Sequence, residues 1–92
     1  MIKSIKHKGL KRFYQSGNIS GIQAKHAKKL RTQLLQLDAA REVAEMDFPG
    51  YNLHSLKGNR SDTWSILVSA NWRLTFEFHG SHAYVVNYED YH

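Results

Sequence analysis

The spacing of apolar residues changes its period at Phe48-Pro49-Gly50, and this break decides what kind of fold the chain can reach. Before it, apolar residues recur at three and four positions. Leu10, Phe13 and Tyr14 make a short stripe that Gly17 can end in a left-handed turn, and Ala27, Leu30, Leu34 and Leu37 make a longer one. Both have the spacing of an amphipathic helix. Ser20-Gly21-Ile22-Gln23, just ahead of the second stripe, fits a capping box, and Asp38 is placed to cap a further brief helix from Ala39 to Met46. After Gly50 the period is two. Leu53 to Lys57, Thr63 to Ser69, Trp72 to Phe78 and Ala83 to Tyr88 read as strands joined by short, turn-like links, so sequence neighbours should pair antiparallel. Met1 to Ile5 alternates as well and reads as a short edge strand. The expected class is therefore α+β, with the N-terminal strand and two to three helices packed on one face of a twisted, mainly antiparallel sheet.

One domain over residues 1–92 is expected, since this length fills a single core. The chain has no cysteine, which removes disulfides, thiolate metal sites and thiol nucleophiles. Its basic start lacks the apolar run of a signal peptide, and no stretch approaches the roughly 18 apolar residues of a membrane span, so a soluble cytoplasmic protein is expected, without a membrane partner. The net charge is +5, and its placement is uneven. Lys3, Lys6, Lys8, Lys11, Arg12, Lys25, Lys28, Lys29 and Arg31 all precede the first acidic residue, Asp38. Such a polycation favours nucleic acid, ribosome or anionic membrane surfaces, with affinity that falls steeply with salt. The plainer reading is that these residues are the solvated faces of two helices.

Alternation also sorts candidate site residues. If Trp72, Leu74, Phe76 and Phe78 meet the helices, Arg73, Thr75 and Glu77 are forced onto the opposite, open face. The chain closes on Asn87-Tyr88-Glu89-Asp90-Tyr91-His92, a dense group of proton-transfer side chains following an apolar β-forming run. If this end stays extended, Tyr88, Asp90 and His92 share one side and Glu89 and Tyr91 the other. None of the six histidines forms an i, i+4 ligand pair, so no native metal and no cofactor is expected; His26, inside the long helix, reads as a partly covered surface residue.

What remains is His54, Lys57, Arg60, Arg73, Asp90, Tyr91 and His92, drawn from strands that a meander places side by side and so expected together on one face. These types suit cleavage of an RNA phosphodiester, in which a base takes the ribose 2′-OH proton, cations hold the phosphate and an acid protonates the departing 5′-oxygen. Histidine serves either role because its ordinary pKa is about 6.5. Each residue also has a structural reading: His54 bonded to backbone, Arg73 paired with Glu77 or Asp62, Tyr91 as a last core aromatic.

Leu53-His54-Ser55-Leu56-Lys57-Gly58, Trp64-Ser65-Ile66-Leu67-Val68, Asn71-Trp72-Arg73-Leu74-Thr75-Phe76 and the closing Asp90-Tyr91-His92 resemble the HigB branch of the RelE/ParE superfamily, bacterial toxins of type II toxin–antitoxin operons. The resemblance covers nearly the whole chain. It implies a RelE-like, microbial-RNase-type fold and a ribosome-dependent mRNA endonuclease that cuts the A-site codon. It also implies neutralisation by a HigA-like helix-turn-helix antitoxin, and a toxin that is monomeric when free. By position, His54, Lys57, Arg73, Asp90, Tyr91 and His92 match the family's functional residues. His54 or Asp90 is then the base, His92 the acid, and Lys57 and Arg73, with Arg60 nearby, the phosphate ligands. RelE itself leans more on lysine and arginine, so its role assignments are not transferred. The basic N-terminal third would dock on ribosomal RNA of the 70S particle through phosphate contacts. Two other classes share such a surface: a ParE-like toxin that binds DNA gyrase without cutting RNA, and an inert RNA-binding domain.

Overall fold

Helices and sheet divide where the period changes. In the computed structural model, which describes residues 1–90, helix α1 spans Lys8–Ser16 and α2 spans Ala27–Ala39; strands β1 (His54–Ser55), β2 (Thr63–Ser69), β3 (Trp72–His79) and β4 (His82–Asp90) all follow Gly50. The strands lie in the order β1-β2-β3-β4 with every pair antiparallel, as the short links require. Leu10, Leu30, Leu34 and Leu37 from the helices meet Ile66, Val68, Leu74 and Phe76 from the sheet, all within 1% of complete burial. The expected α+β layering holds.

Local chemistry explains the ends of α1. The His7 ring caps it, Nδ1 accepting from the Leu10 N–H at 3.0 Å. Gly17, at φ +80°, closes it by donating its N–H to the Phe13 carbonyl at 2.8 Å. α2 starts later than Ser20-Gly21-Ile22-Gln23 suggests. A 3-10 turn, Ala24–His26, comes first, no side chain caps either element, and the Ser20 N–H turns to Asn18 Oδ1. The reason is steric: Gly21 lies against Gly9 of α1, so close that a Cβ on either would fall inside the other's backbone. Tertiary approach, not the capping motif, sets the conformation of this segment.

Three other expectations change. Asp38 does not cap a new helix but stays within α2, where Oδ1 accepts the Ile2 N–H at 2.8 Å. The short helix that follows is a 3-10 turn, Val43–Met46, with Glu42 and Glu45 as its reciprocal caps. The N-terminal edge strand reduces to two parallel bridges, Ile2 to Ala83 and Ile5 to Val86, because β4 bulges between them at Val85, φ +52°. The strand expected over Leu53 to Lys57 is only His54–Ser55.

His26 is the largest departure. It is 3% exposed and not a surface residue, because the 3-10 turn swings it under the sheet instead of leaving it on the α2 wheel. Its Nδ1 lies 2.5 Å from the Tyr88 hydroxyl, and its ring meets both Trp72 and Tyr88 edge-on. Burial, with Lys25 and Lys29 adding, lowers the His26 pKa, and burial raises that of Tyr88. Both shifts favour the neutral forms, so the contact is a hydrogen bond between a neutral imidazole and a neutral phenol.

A histidine whose pKa is lowered on folding stabilises the native state fully above its unfolded value, about 6.5, and progressively less as pH falls through the folded value. His7 and His82 are also lowered, so they act in the same direction. The thermal midpoint should fall between pH 7.5 and 5.5, and His26→Phe should flatten part of that slope. Calorimetry at stepped pH checks both; an unchanged slope in the variant would show that His26 does not contribute.

Candidate functional site

Register places the sheet's chemistry on the face away from the helices. His54 pairs with Ser65, Ser65 with Thr75 and Thr75 with Asn87; one row along, Leu67 pairs with Arg73 and Arg73 with Glu89. Paired residues share a face, so His54, Arg73, Thr75 and Glu89 all belong to the open one.

His54 is exposed, and its Nδ1 donates to the Asn52 carbonyl at 2.8 Å. With the proton of the neutral ring committed there, Nε2 carries the lone pair, which is the tautomer a general base needs. The backbone-bonded reading of His54 and the catalytic reading thus coexist. Arg73 donates to the Ala70 carbonyl at 3.2 Å rather than to a strand carboxylate, while Glu77 turns to His79 at 3.2 Å. Lys57 is exposed two residues beyond β1, immediately before the 3-10 turn Gly58–Arg60.

Arg60 leaves that turn and reaches β4. Its Nη1 and Nη2 donate to Glu89 Oε1 and Oε2 at 3.0 and 2.6 Å, and Thr75 Oγ1 donates to Glu89 Oε2 at 2.5 Å. Because β2 and β3 separate β1 from β4, this ion pair crosses the face and helps cover it. Thr75, expected in the open, is 1% exposed. The Arg60 hydrogen bonds hold the Glu89 carboxyl below the usual range against the opposing effect of burial, with Thr75 and Asn87 assisting. Beside the pair lies a pocket of about 170 Å³, lined by Lys6, Arg60, Thr63, Thr75, Glu77, Val85 and Asn87.

The other candidates lie apart. Asp90 pairs with Trp72 and so shares the helix-side face with Tyr88, where its charge helps raise the phenol's pKa. Trp72 stacks on Tyr88 at 4.4 Å, and His7 meets Tyr88 edge-on at 5.4 Å. Tyr91 and His92 lie outside the described residues. Lys3, Lys6, Lys8, Lys11, Arg12, Lys25, Lys28, Lys29 and Arg31 are all exposed, and Lys6 alone of them lines the open-face pocket. Among the described residues no three His, Cys, Asp or Glu side chains converge as metal ligands, and no helix is long and apolar enough to cross a membrane.

Sequence reasoning passed over Glu89 and gave Thr75 no role beyond its face. The signal was present for Glu89, since alternation in β4 separates it from Asp90, but its partner lies 29 residues away on a turn.

Two helices on one face of a four-stranded antiparallel sheet are consistent with the fold of RelE-like toxins. The chain belongs to the HigB-like toxins: the model of that family, RelE-like toxins of the type II toxin–antitoxin system HigB, matches residues 3–92. Over 92 residues, the full length of both chains, it is 49% identical to endoribonuclease HigB of Proteus vulgaris. Membership in a toxin–antitoxin family implies an antitoxin partner.

Proposed function

We propose that this protein is an endoribonuclease toxin that enters the ribosomal A site, cuts the mRNA codon there and halts translation. The relative's activity supports the reaction class. The single observation that carries the site is the common face of His54, with its Nε2 lone pair, and Arg73. His54 takes the 2′-OH proton, the 2′-oxygen attacks phosphorus, and the bond to the 5′-oxygen breaks. Lys57, Arg60 and Arg73 hold the phosphate, and His92 protonates the leaving oxygen. Asp90, on the face opposite Arg73, is not the base in this scheme. No metal takes part in these steps. The protein acts in the cytoplasm and is held in check by a HigA-like helix-turn-helix antitoxin.

The test is to incubate the protein with programmed ribosomes and map message ends. A new break in the A-site codon supports the reading. Intact message together with blocked gyrase supercoiling would replace it with a ParE-like one, and intact message with RNA binding alone would leave only a binding domain.

Docking is assigned to the basic residues. Lys25 in the 3-10 turn and Lys28 and Lys29 in the first turn of α2 are exposed, so their triple replacement by glutamine should weaken ribosome binding and flatten its salt dependence by about three phosphate contacts. Filter binding across a salt series checks this. Unchanged affinity would return the cluster to a solvated face.

A further inference from the structure

We propose that Glu89 is a positioning residue of the nuclease, receiving both arms of the Arg60 fork and so fixing that guanidinium over the open face; this rests on the open-face reading above. Arg60 ends a three-residue turn and its side chain is 43% exposed, a setting in which a long side chain ordinarily samples many rotamers. Isolated pairs on such surfaces hold little. This one differs in three respects. The geometry is two-pronged, at 3.0 and 2.6 Å, which fixes the plane of the guanidinium as well as its distance. The carboxylate is itself pinned by Thr75, which is 1% exposed on the central strand β3. Glu89 is also the direct β4 partner of Arg73, so the carboxylate ties the mobile cation to the row that carries the rigid one.

The pocket beside the pair sharpens the assignment. Arg60 and Lys6 line it together with Glu77, so the guanidinium that Glu89 holds forms part of a wall of mixed charge. A guanidinium has five N–H donors in one plane, and by taking two of them Glu89 fixes that plane. The acidic residue on an RNA-facing surface is thus accounted for as a brace rather than a repulsive charge. Its lowered pKa keeps it ionised throughout the range in which histidine chemistry runs.

Single-turnover cleavage on saturating programmed ribosomes separates bracing from a purely structural clasp. Glu89→Gln should slow cleavage about ten- to a hundredfold, the scale of a misplaced catalytic contact, while ribosome affinity stays within about twofold and the thermal midpoint is nearly unchanged. Arg60→Ala should lose at least as much, and the double variant should be no slower than Arg60→Ala, because the two side chains act as one unit. Full or increased cleavage by Glu89→Gln, or losses that multiply in the double variant, would overturn the inference. So would a loss of rate matched by a loss of folding. Arg73→Ala serves as the control for the underlying site: full activity there removes the open-face reading itself, whereas loss there with an unaffected Glu89→Gln removes only the role of Glu89.

Discussion

His54→Ala slows message cleavage by about a hundredfold or more, the usual worth of a positioned general base, and leaves the thermal midpoint within about 4 °C. The separation of the two effects follows from the residue's surroundings. His54 is exposed on a two-residue edge strand and hydrogen-bonds the Asn52 carbonyl, so removing the ring opens no cavity in the core. The chemical loss follows from the tautomer. With Nδ1–H engaged, only Nε2 can receive the 2′-OH proton, and alanine supplies no substitute. His54→Gln keeps an amide near the same carbonyl but has no basic nitrogen, so it should be nearly as slow. Rates from single-turnover assays on programmed ribosomes, set beside calorimetric midpoints, check both outcomes. A variant that cleaves at the wild-type rate would move the base elsewhere.

Gly9→Ala and Gly21→Ala should be the most damaging single-methyl changes in the chain. Each would put a Cβ into the other glycine's backbone, where no side-chain rotation relieves the clash. Overpacking of that kind costs about 3 kcal/mol or more, a large share of the stability of a small domain, and should lower the midpoint by roughly 15 °C. Gly17→Ala is the instructive comparison. It meets nothing within 4 Å and bears only the strain of φ +80°, which costs about 1 kcal/mol. Circular dichroism melts of the three variants should therefore rank them clearly. If Gly9→Ala melted with the wild type, the close crossing of α1 and the segment before α2 would be wrong.

The parts of this molecule that were legible in the sequence are those set by local periodicity. Leu30, Leu34 and Leu37 announced α2, and the alternation from Trp72 to Phe78 announced both β3 and the face on which Arg73 stands. What escaped were relations between residues far apart along the chain. His26 looked like a surface residue because the helical wheel ignores the 3-10 turn that rotates it toward Tyr88, 62 residues away. Ser20 to Gln23 had the letters of a capping box but lies at a backbone crossing that no local rule reports. Glu89 was assigned to a face but not to Arg60, because a turn's side-chain direction cannot be read from spacing. Asp90 is expected on the open face with Arg73, but register pairs it with Trp72 and puts it on the opposite face.

The reaction itself is tested most directly by the nucleophile. If the open face cuts RNA through the ribose 2′-oxygen, a message carrying a single 2′-deoxy nucleotide immediately 5′ of the scissile phosphate in the A-site codon should bind the ribosome and the toxin normally yet remain uncut at that position. Cleavage of the deoxy-substituted codon at the all-ribose rate would contradict the mechanism, because it would require a nucleophile that His54 does not generate from the substrate.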